Sequence, residues 1–444
     1  MMSAGFARSS LVLACATALL ASCSGRARKP SIALVVIDTL RADELDCYGS
    51  SVPTSPVLAR LSADGVTFDD LFAASPLTTT SVATILTGLY PDEAGVRGLR
   101  FPLSSAARTL AERLSEVGYT AGAVLSNAAA GPLYGFDQGY KEVHYENYIE
   151  DQRKPGASSR PTFTADRVTD RALEMVPKLG SPFFLYVHYT DPHAPYLPPD
   201  GWAERYLAGR PPLEESQLSQ HSFHHLNPEQ SERARAYYRG EVAFTDRELG
   251  RLLAGLPPDT LVLVTADHGE EFRDHGGMGH GHTLFQELLH VPLIVKGRGL
   301  SAGRRVREPV THADIAPTIL DFAGAPQDAA LSGLSLRGLL DGSARDPAPR
   351  PLFSILESAT GPWRSARLGR WKLHCSPDRR LVLFDVETDP HERDNVANER
   401  GAEVAQLLAA LDHRRTHVID PPAETNSEED KERLEQIRAL GYVQ

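Results

Sequence analysis

The stretch TLVLVTADHGEEFRDHGGMGHGH, Thr260 to His282, constrains this chain more than any other. Its apolar and β-branched run, Leu261 to Ala266, has the pattern of a strand buried on both faces, as in a parallel sheet covered by helices. The run stops abruptly at Asp267 and His268, followed by Gly269, so a carboxylate and an imidazole leave the sheet together. In open α/β sheets ligands bind outside the carboxyl ends of the strands, which makes this pair a candidate for holding a metal. His275, His280 and His282 follow among glycines, where backbone can approach a ligand closely and no apolar face is evident to bury an imidazole. The competing reading is a solvated Gly/His loop with an incidental Asp-His pair.

Two other apolar runs end in the same way. SIALVVID, Ser31 to Asp38, reads as a second core strand with Arg41 and Asp43 just beyond it, although a lone Asp at a strand end is as often a helix cap. SPFFLYVHYTDPHAPYLPP gives a third strand, ending at Asp191-Pro192-His193. Between the strands lie helical patterns: Ser55 to Gly65, Arg108 to Gly118 ahead of a strand, and Ser231 to Leu256 with Ala243, Phe244, Leu249, Leu252 and Leu253 on one face. Another strand begins at Val291 and another helix at Asp314. This alternation predicts an α/β fold, a doubly wound and mostly parallel sheet flanked by helices.

From about Pro347 the texture changes. PLFSILES, RSARLGRWKLHC and RRLVLFDV read as a small antiparallel sheet with one wet face. SEEDKERLEQIRALGYV reads as an amphipathic helix with Leu434, Ile437 and Leu440, opened by a capping box at Ser427 and Asp430. The expected division is a large α/β domain over 31–346 and a C-terminal α+β subdomain over 347–444. With 444 residues and 41% hydrophobic content the chain can bury a core of that size. A formal charge of −12 argues against nucleic acid as a partner, because phosphate backbones reward clustered Lys and Arg.

At the N-terminus, Arg8 precedes the apolar run Leu11 to Ala21 and then Ser22-Cys23. The run is too short to span a bilayer, so 1–22 reads as a signal peptide and 23–30 as a basic tether. Leu20 to Cys23 is similar to the lipobox of bacterial lipoproteins, in which the cysteine becomes the lipidated first residue; an ordinary secretory signal is the alternative. The first reading places the protein in the cell envelope, anchored to a membrane through lipid on Cys23 and facing the periplasm or exterior. Loss of the leader removes Cys15 and leaves Cys47 and Cys375, which allow one disulfide and demand none.

SPLTTTSVATILTGLYP, Ser75 to Pro91, predicts a helix over Val82 to Leu86 closed by Gly88 and preceded by a cluster of hydroxyls. A hydroxyl there sits at the positive end of a helix dipole, beside N–H groups that can hold an anion; ordinary N-capping is the other account. The polar residues from Tyr145 to Arg160 read as loop. A longer polar segment reaches about Gln230 and includes His221, His224 and His225; it is either a lid over the site or surface decoration.

These residues, taken together, resemble the sulfatases and their relatives in the alkaline phosphatase superfamily. IDTLRAD with CYG at Cys47, TGLYP at Thr87, GFDQG at Gly135, DPHAPY at Asp191, ADHGEEF at Ala266, WKL at Trp371 and LFDVETDP at Leu383 occur in the family's order. The resemblance implies metal ligands at Asp38, Asp267 and His268, and contacts from His193 and His280 to the substrate's anionic group or leaving oxygen. In sulfatases the nucleophile is a formylglycine made from Cys or Ser, nine residues before the Thr of the TG pair; that residue here is Thr78. The conversion motif also requires Pro two residues on and Arg four residues on, where this chain has Thr80 and Val82. Thr39 stands where many sulfatases have a second Asp, which suits zinc or manganese better than calcium or magnesium.

The implied chemistry is attack by Thr78, itself a ligand of the metal beside Asp38, Asp267 and His268, on a small-molecule, glycan or lipid ester, with His280 or His193 protonating the leaving oxygen. A hydrolase of sulfate or phosphorus esters, phosphodiester or phosphonate favoured, competes with a true sulfuric ester hydrolase. It also competes with a phosphoethanolamine-type headgroup transferase and with a non-catalytic binding homologue.

Overall fold

All six residues of β1, Ile32–Ile37, are buried, because this strand lies at the centre of a sheet covered on both faces. The protein is described by a computed structural model that covers residues 29–99, 101–146, 163–344, 349–414, 419–420, 431–433 and 435. The leader with Cys23, the polar loop expected beyond residue 146, and the capping box and most of the helix expected after Ser427 lie outside the described residues.

After β1 come α1 (Pro56–Asp64), β2 (Val66–Phe72), α2 (Thr78–Thr87), α3 (Leu110–Glu116), β3 (Thr120–Leu125) and β4 (Glu142–Tyr145). They are followed by α4 (Ala165–Leu179), β5 (Phe183–Tyr189), α5 (Pro228–Gly255), β6 (Leu261–Ala266), and the small pair β7 (Glu271–Phe272) and β8 (Met278–Gly279). β9 (His290–Lys296), β10 (Arg304–Val306), β11 (Val310–Thr311) and α6 (Ile315–Phe322) complete the α/β unit. The sheet order is β10-β2-β9-β6-β1-β5-β3-β4 with β11 beside β2, and β9 alone runs against its neighbours. Helices α1, α4 and α5 pack together, as do α2, α3 and α6, forming the covering layers. Register decides where the site forms. Ile37 lies level with Ala266 on one side and Tyr189 on the other, so Asp38 and Asp267 leave the sheet side by side.

Helix α2 begins at Thr78, four residues before the expected start. Its hydroxyls bond back to carbonyls instead of loosening the turn: Thr80 Oγ1 donates to Leu77 O, Ser81 Oγ to Ser75 O and Thr84 Oγ1 to Thr80 O. Gly88 closes it at φ 74°, a left-handed conformation that glycine adopts without a Cβ clash.

The C-terminal sheet is antiparallel, with β12 (Leu352–Leu356), β13 (Trp363–Leu368), β14 (Trp371–Cys375) and β15 (Leu381–Asp385) in that order. The expected wet face is absent from β14. Leu373 and Cys375 pack with Leu407 and Leu411 of α7 (Gly401–His413), while Lys372 and His374 are buried against the α/β unit. There Lys372 Nζ pairs with Glu392 at 2.8 Å and sits over the Phe72 ring, and His374 lies against Phe285. Cys47 and Cys375 are free thiols and form no disulfide with each other.

Two further expectations change. The segment before α5 is not a purely polar surface excursion, since Leu213, Leu218, Phe223 and Leu226 are buried and Phe223 stacks on Tyr196 with ring centroids 5.3 Å apart. Its His221, His224 and His225 are exposed. His275 does find an apolar face, stacking on Phe285 at 3.6 Å while its Nδ1 meets Glu287 Oε1 at 2.7 Å.

Candidate active site

Asp38 and Asp267 are fully buried at adjoining strand ends, and His188 of β5 reaches them from the other side of β1. The ligand atoms of these three residues lie within 4.8 Å of one another. Asp38 Oδ1, Asp267 Oδ2 and His188 Nε2 are buried without a hydrogen bond. A buried carboxylate pair left in that state is costly, and a divalent cation between them removes both the desolvation and the mutual repulsion. The titration of the pair agrees. Burial would raise the Asp38 pKa, but the His188, His193 and His268 imidazoles hold it well below the usual carboxylate range. Burial and the charge on Asp38 raise that of Asp267.

The remaining oxygens are oriented by the chain. Asp267 Oδ1 accepts from Thr39 N at 3.2 Å and His268 N at 2.8 Å, and Asp38 Oδ2 accepts from Asn127 Nδ2. Asn127 is itself fixed by Ala129 N, which donates to its Oδ1 at 2.7 Å. His268 Nδ1 donates to Gly269 O at 2.9 Å, so Nε2 carries the lone pair. That nitrogen lies 3.5 Å from Asp267 Oδ2, 3.8 Å from Asp38 Oδ1 and 3.3 Å from Thr78 Oγ1.

Thr78 is the first residue of α2, and the residue before it, Leu77, offers no side-chain cap. Its hydroxyl therefore does not serve the helix end as a cap would; it faces His268 beside N–H groups that have no intrahelical partner. One buried histidine fixes the spacing between the two halves. His312 accepts from Ala74 N through Nδ1 at 3.3 Å and donates to Ala266 O through Nε2 at 2.9 Å, tying the segments that lead to Thr78 and Asp267.

His193 and His280 complete the cluster, with ring centroids 5.0 Å apart, and His280 lies 4.4 Å from His268. His193 Nδ1 bonds Ala194 O at 2.6 Å and His280 Nδ1 bonds Glu270 Oε1 at 2.9 Å, so proton chemistry at each ring runs through Nε2. Burial, and then the nearby His268 and His193, lower the His280 pKa well below its ordinary value. Arg41 takes no part at the metal group; it is buried between Asp43 and Asp274 and donates to Glu270 O at 2.9 Å.

All six residues expected from the sequence thus meet in one place. Sequence reasoning missed His188, Asn127, Glu270 and His312. Asn127 follows the strand-end rule that exposed Asp38, two residues beyond β3, and was findable on that ground. His188 shares a face of β5 with Tyr186, whose hydroxyl meets its Nδ1 at 2.8 Å, a polar pair two residues apart within an apolar strand.

The sulfatase family model matches residues 30–325, and the model for the C-terminal region of N-sulphoglucosamine sulphohydrolase matches 276–419. The chain belongs to the sulfatase family. Choline-sulfatase of Rhizobium meliloti (strain 1021) is 26% identical to it over 448 residues, covering 88% of this chain and 87% of that protein. Arylsulfatase A of Homo sapiens is 28% identical over 449 residues, covering 87% of each. Among solved structures, the phosphonate monoester hydrolase of Agrobacterium radiobacter has the same fold, with a TM-score of 0.71 at 23% identity, covering 86% of this chain and 94% of that one. Family membership makes this sulfatase-fold protein a hydrolase of ester bonds. The fold is typically metal-dependent, and the Asp38, His188 and Asp267 group can hold the ion.

Proposed function

We propose that this protein is a metal-dependent hydrolase that cleaves phosphorus esters, phosphodiesters or phosphonate esters, in preference to sulfate esters, with Thr78 as nucleophile. One observation carries the reading: Thr78 Oγ1 stands 3.3 Å from His268 Nε2 at the uncapped start of α2, in the position where other family members make formylglycine from Cys or Ser. Threonine cannot be converted in that way. A formylglycine hydrate releases sulfate by breakdown of a hemiacetal, whereas an ester on threonine must be attacked again by water, which suits phosphorus.

Asp38, His188, Asp267 and His268 are the residues to hold the ion, and a set of two imidazoles and two carboxylates favours zinc or manganese. Such an ion supplies charge neutralisation and lowers the pKa of a nearby hydroxyl. The chain's own groups do the rest. The N-terminal N–H groups of α2 and the imidazoles of His193 and His280 hold the substrate's anionic oxygens. Thr78 gives up its hydroxyl proton to solvent and its Oγ1 forms the new bond to phosphorus as the bond to the leaving oxygen breaks; Nε2 of His280, whose ring the substrate's anion beside it keeps charged against the effect of burial, or of His193 gives that oxygen a proton. Water then attacks the threonine ester, the same imidazole takes a proton from it and is charged again, and Thr78 leaves as the alkoxide, which either recovers a proton from solvent or enters the next turnover. The positive charges acting on Asp38 and Asp267 come from imidazoles, and Arg41 is held by two aspartates. A singly charged diester or phosphonate ester matches that balance better than a doubly charged phosphate monoester.

Thr78→Ala is expected to lower turnover by several powers of ten and Thr78→Ser to retain part of it, with a phosphoryl adduct on the Thr78 peptide after acid quench of the wild type. Faster hydrolysis of an aryl sulfate than of the matching phosphodiester would reject the substrate preference, and full activity in Thr78→Ala would reject the nucleophile.

A further inference from the structure

His280 sits between two glycines in left-handed conformations, Gly279 at φ 84° and Gly281 at φ 78°, immediately after β8. A loop of that kind sets where the residue is but not how its ring is turned, because no helix or strand restricts the rotamer. The ring is turned by Glu270. This carboxylate is fully buried, and its Oε1 accepts from His280 Nδ1 at 2.9 Å, with the His280 side chain also buried. Glu270 in turn is anchored through its backbone, whose carbonyl accepts from Arg41 Nη1 at 2.9 Å; Asp43 and Asp274 clamp that guanidinium from both sides. The buried Tyr196 hydroxyl acts on the same carboxylate. Close packing at the neighbouring glycines holds the loop down, since a Cβ on Gly281 would lie 2.7 Å from the Leu77 side chain and one on Gly279 would lie 3.4 Å from Phe223.

We propose that Glu270 is a positioning residue for the reaction: its carboxylate fixes the His280 ring so that Nε2 delivers the proton to the leaving oxygen. Arg41, Glu270 and His280 form one chain of contacts, from a strand-end loop through a buried carboxylate to the proton donor. The residue acts through His280 and touches no reacting atom itself. An imidazole held by a carboxylate at Nδ1 also keeps a single tautomer during the transfer, because the second nitrogen can neither swing out nor exchange roles. The inference rests on the proposed role of His280 in leaving-group protonation, and is independent of which residue is the nucleophile.

The test is a double-mutant cycle between Glu270 and His280, read on two phosphodiesters that differ only in leaving group, one a nitrophenol and one an alkyl alcohol. A good leaving group departs without protonation and a poor one does not. Glu270→Ala is therefore expected to slow the alkyl ester by roughly 100-fold or more and the nitrophenyl ester by less than about 10-fold, in kcat and not in KM. Glu270→Gln, whose amide oxygen can still accept from Nδ1, should recover part of the loss. Glu270→Ala/His280→Ala should be no slower than His280→Ala alone, because the carboxylate has nothing left to position. In selectively 15N-labelled protein, the His280 Nδ1–H proton should resonate far downfield and vanish in Glu270→Ala while bound metal per chain is unchanged. Equal slowing of both esters, or independent losses in the double variant, would overturn the proposal. Failure of the nucleophile assignment would look different: Thr78→Ala would remain active while the coupling of Glu270 with His280 persisted.

Discussion

The Nε2 atom of His188 lies 3.5 Å from the Oδ2 atom of Asp38, and both side chains are fully buried. A histidine facing a carboxylate in that way, with Tyr186 holding its other nitrogen, is built to share a cation. His188→Ala is expected to weaken zinc or manganese binding at least roughly 10–100-fold, measured by chelator competition. Unchanged affinity would remove His188 from the ligand set.

Asp267 carries a second duty, since its Oδ1 accepts from the Thr39 and His268 backbones. Asp267→Asn keeps an acceptor there and removes only the charge. The variant should retain the wild-type far-UV spectrum while losing both bound metal and activity. Full metal occupancy in Asp267→Asn would sink the assignment of the site.

His312 gives a pH signature for folding. Its ring must be neutral to accept from Ala74 and donate to Ala266, and burial lowers its pKa to about 3. The unfolded chain binds that proton below about pH 6.5 and the native chain only near pH 3, so the protein loses stability as pH falls through this window. The contribution has a slope of about 1.4 kcal/mol per pH unit. Denaturation of His312→Gln, which keeps a donor and an acceptor without titrating, should depend less steeply on pH than the wild type. Parallel curves for the two proteins would refute a neutral bridge.

A lipid anchor at Cys23 is expected from the sequence alone and can be tested directly. Cys23→Ala should release otherwise folded protein from the membrane to the soluble fraction, because acyl chains on that residue would be its main attachment. A variant that stays with the membrane would rule the anchor out.

What could be read from the sequence followed a physical divide. Asp38, Asp267 and His268 were legible because each ends a long apolar run, and the end of such a run is the mouth of the sheet. His193 also follows an apolar run and His280 stands among glycines, but the roles of Thr78, His193 and His280 came from the family resemblance, because no periodicity assigns them. His188 was hidden by burial itself: within FFLYVHY it reads as one more core position, and only the register with β1 turns it toward Asp38. The start of α2 was misplaced because Thr and Ser are poor indicators of a helix interior until their hydroxyls find carbonyls. The buried second face of β14 was invisible because Lys372 and His374 look like solvent residues when their partners, Glu392 and Phe285, lie on other loops.

That buried face changes how the C-terminal sheet can be used. Lys372 pairs with Glu392 and bonds Gln286 Oε1 at 3.1 Å, Glu392 Oε2 accepts from Gln286 N at 2.7 Å, and the Glu392 carbonyl meets His275 Nε2 at 3.2 Å. The sheet is therefore sewn to the same loop that presents His280. A relative's C-terminal unit cannot be grafted onto this chain as a self-contained cassette, for the seam belongs to both sides. A working chimera has to carry residues 275, 286 and 287 along with the sheet, and sequence changes on either side of the seam will be tolerated only in matched sets.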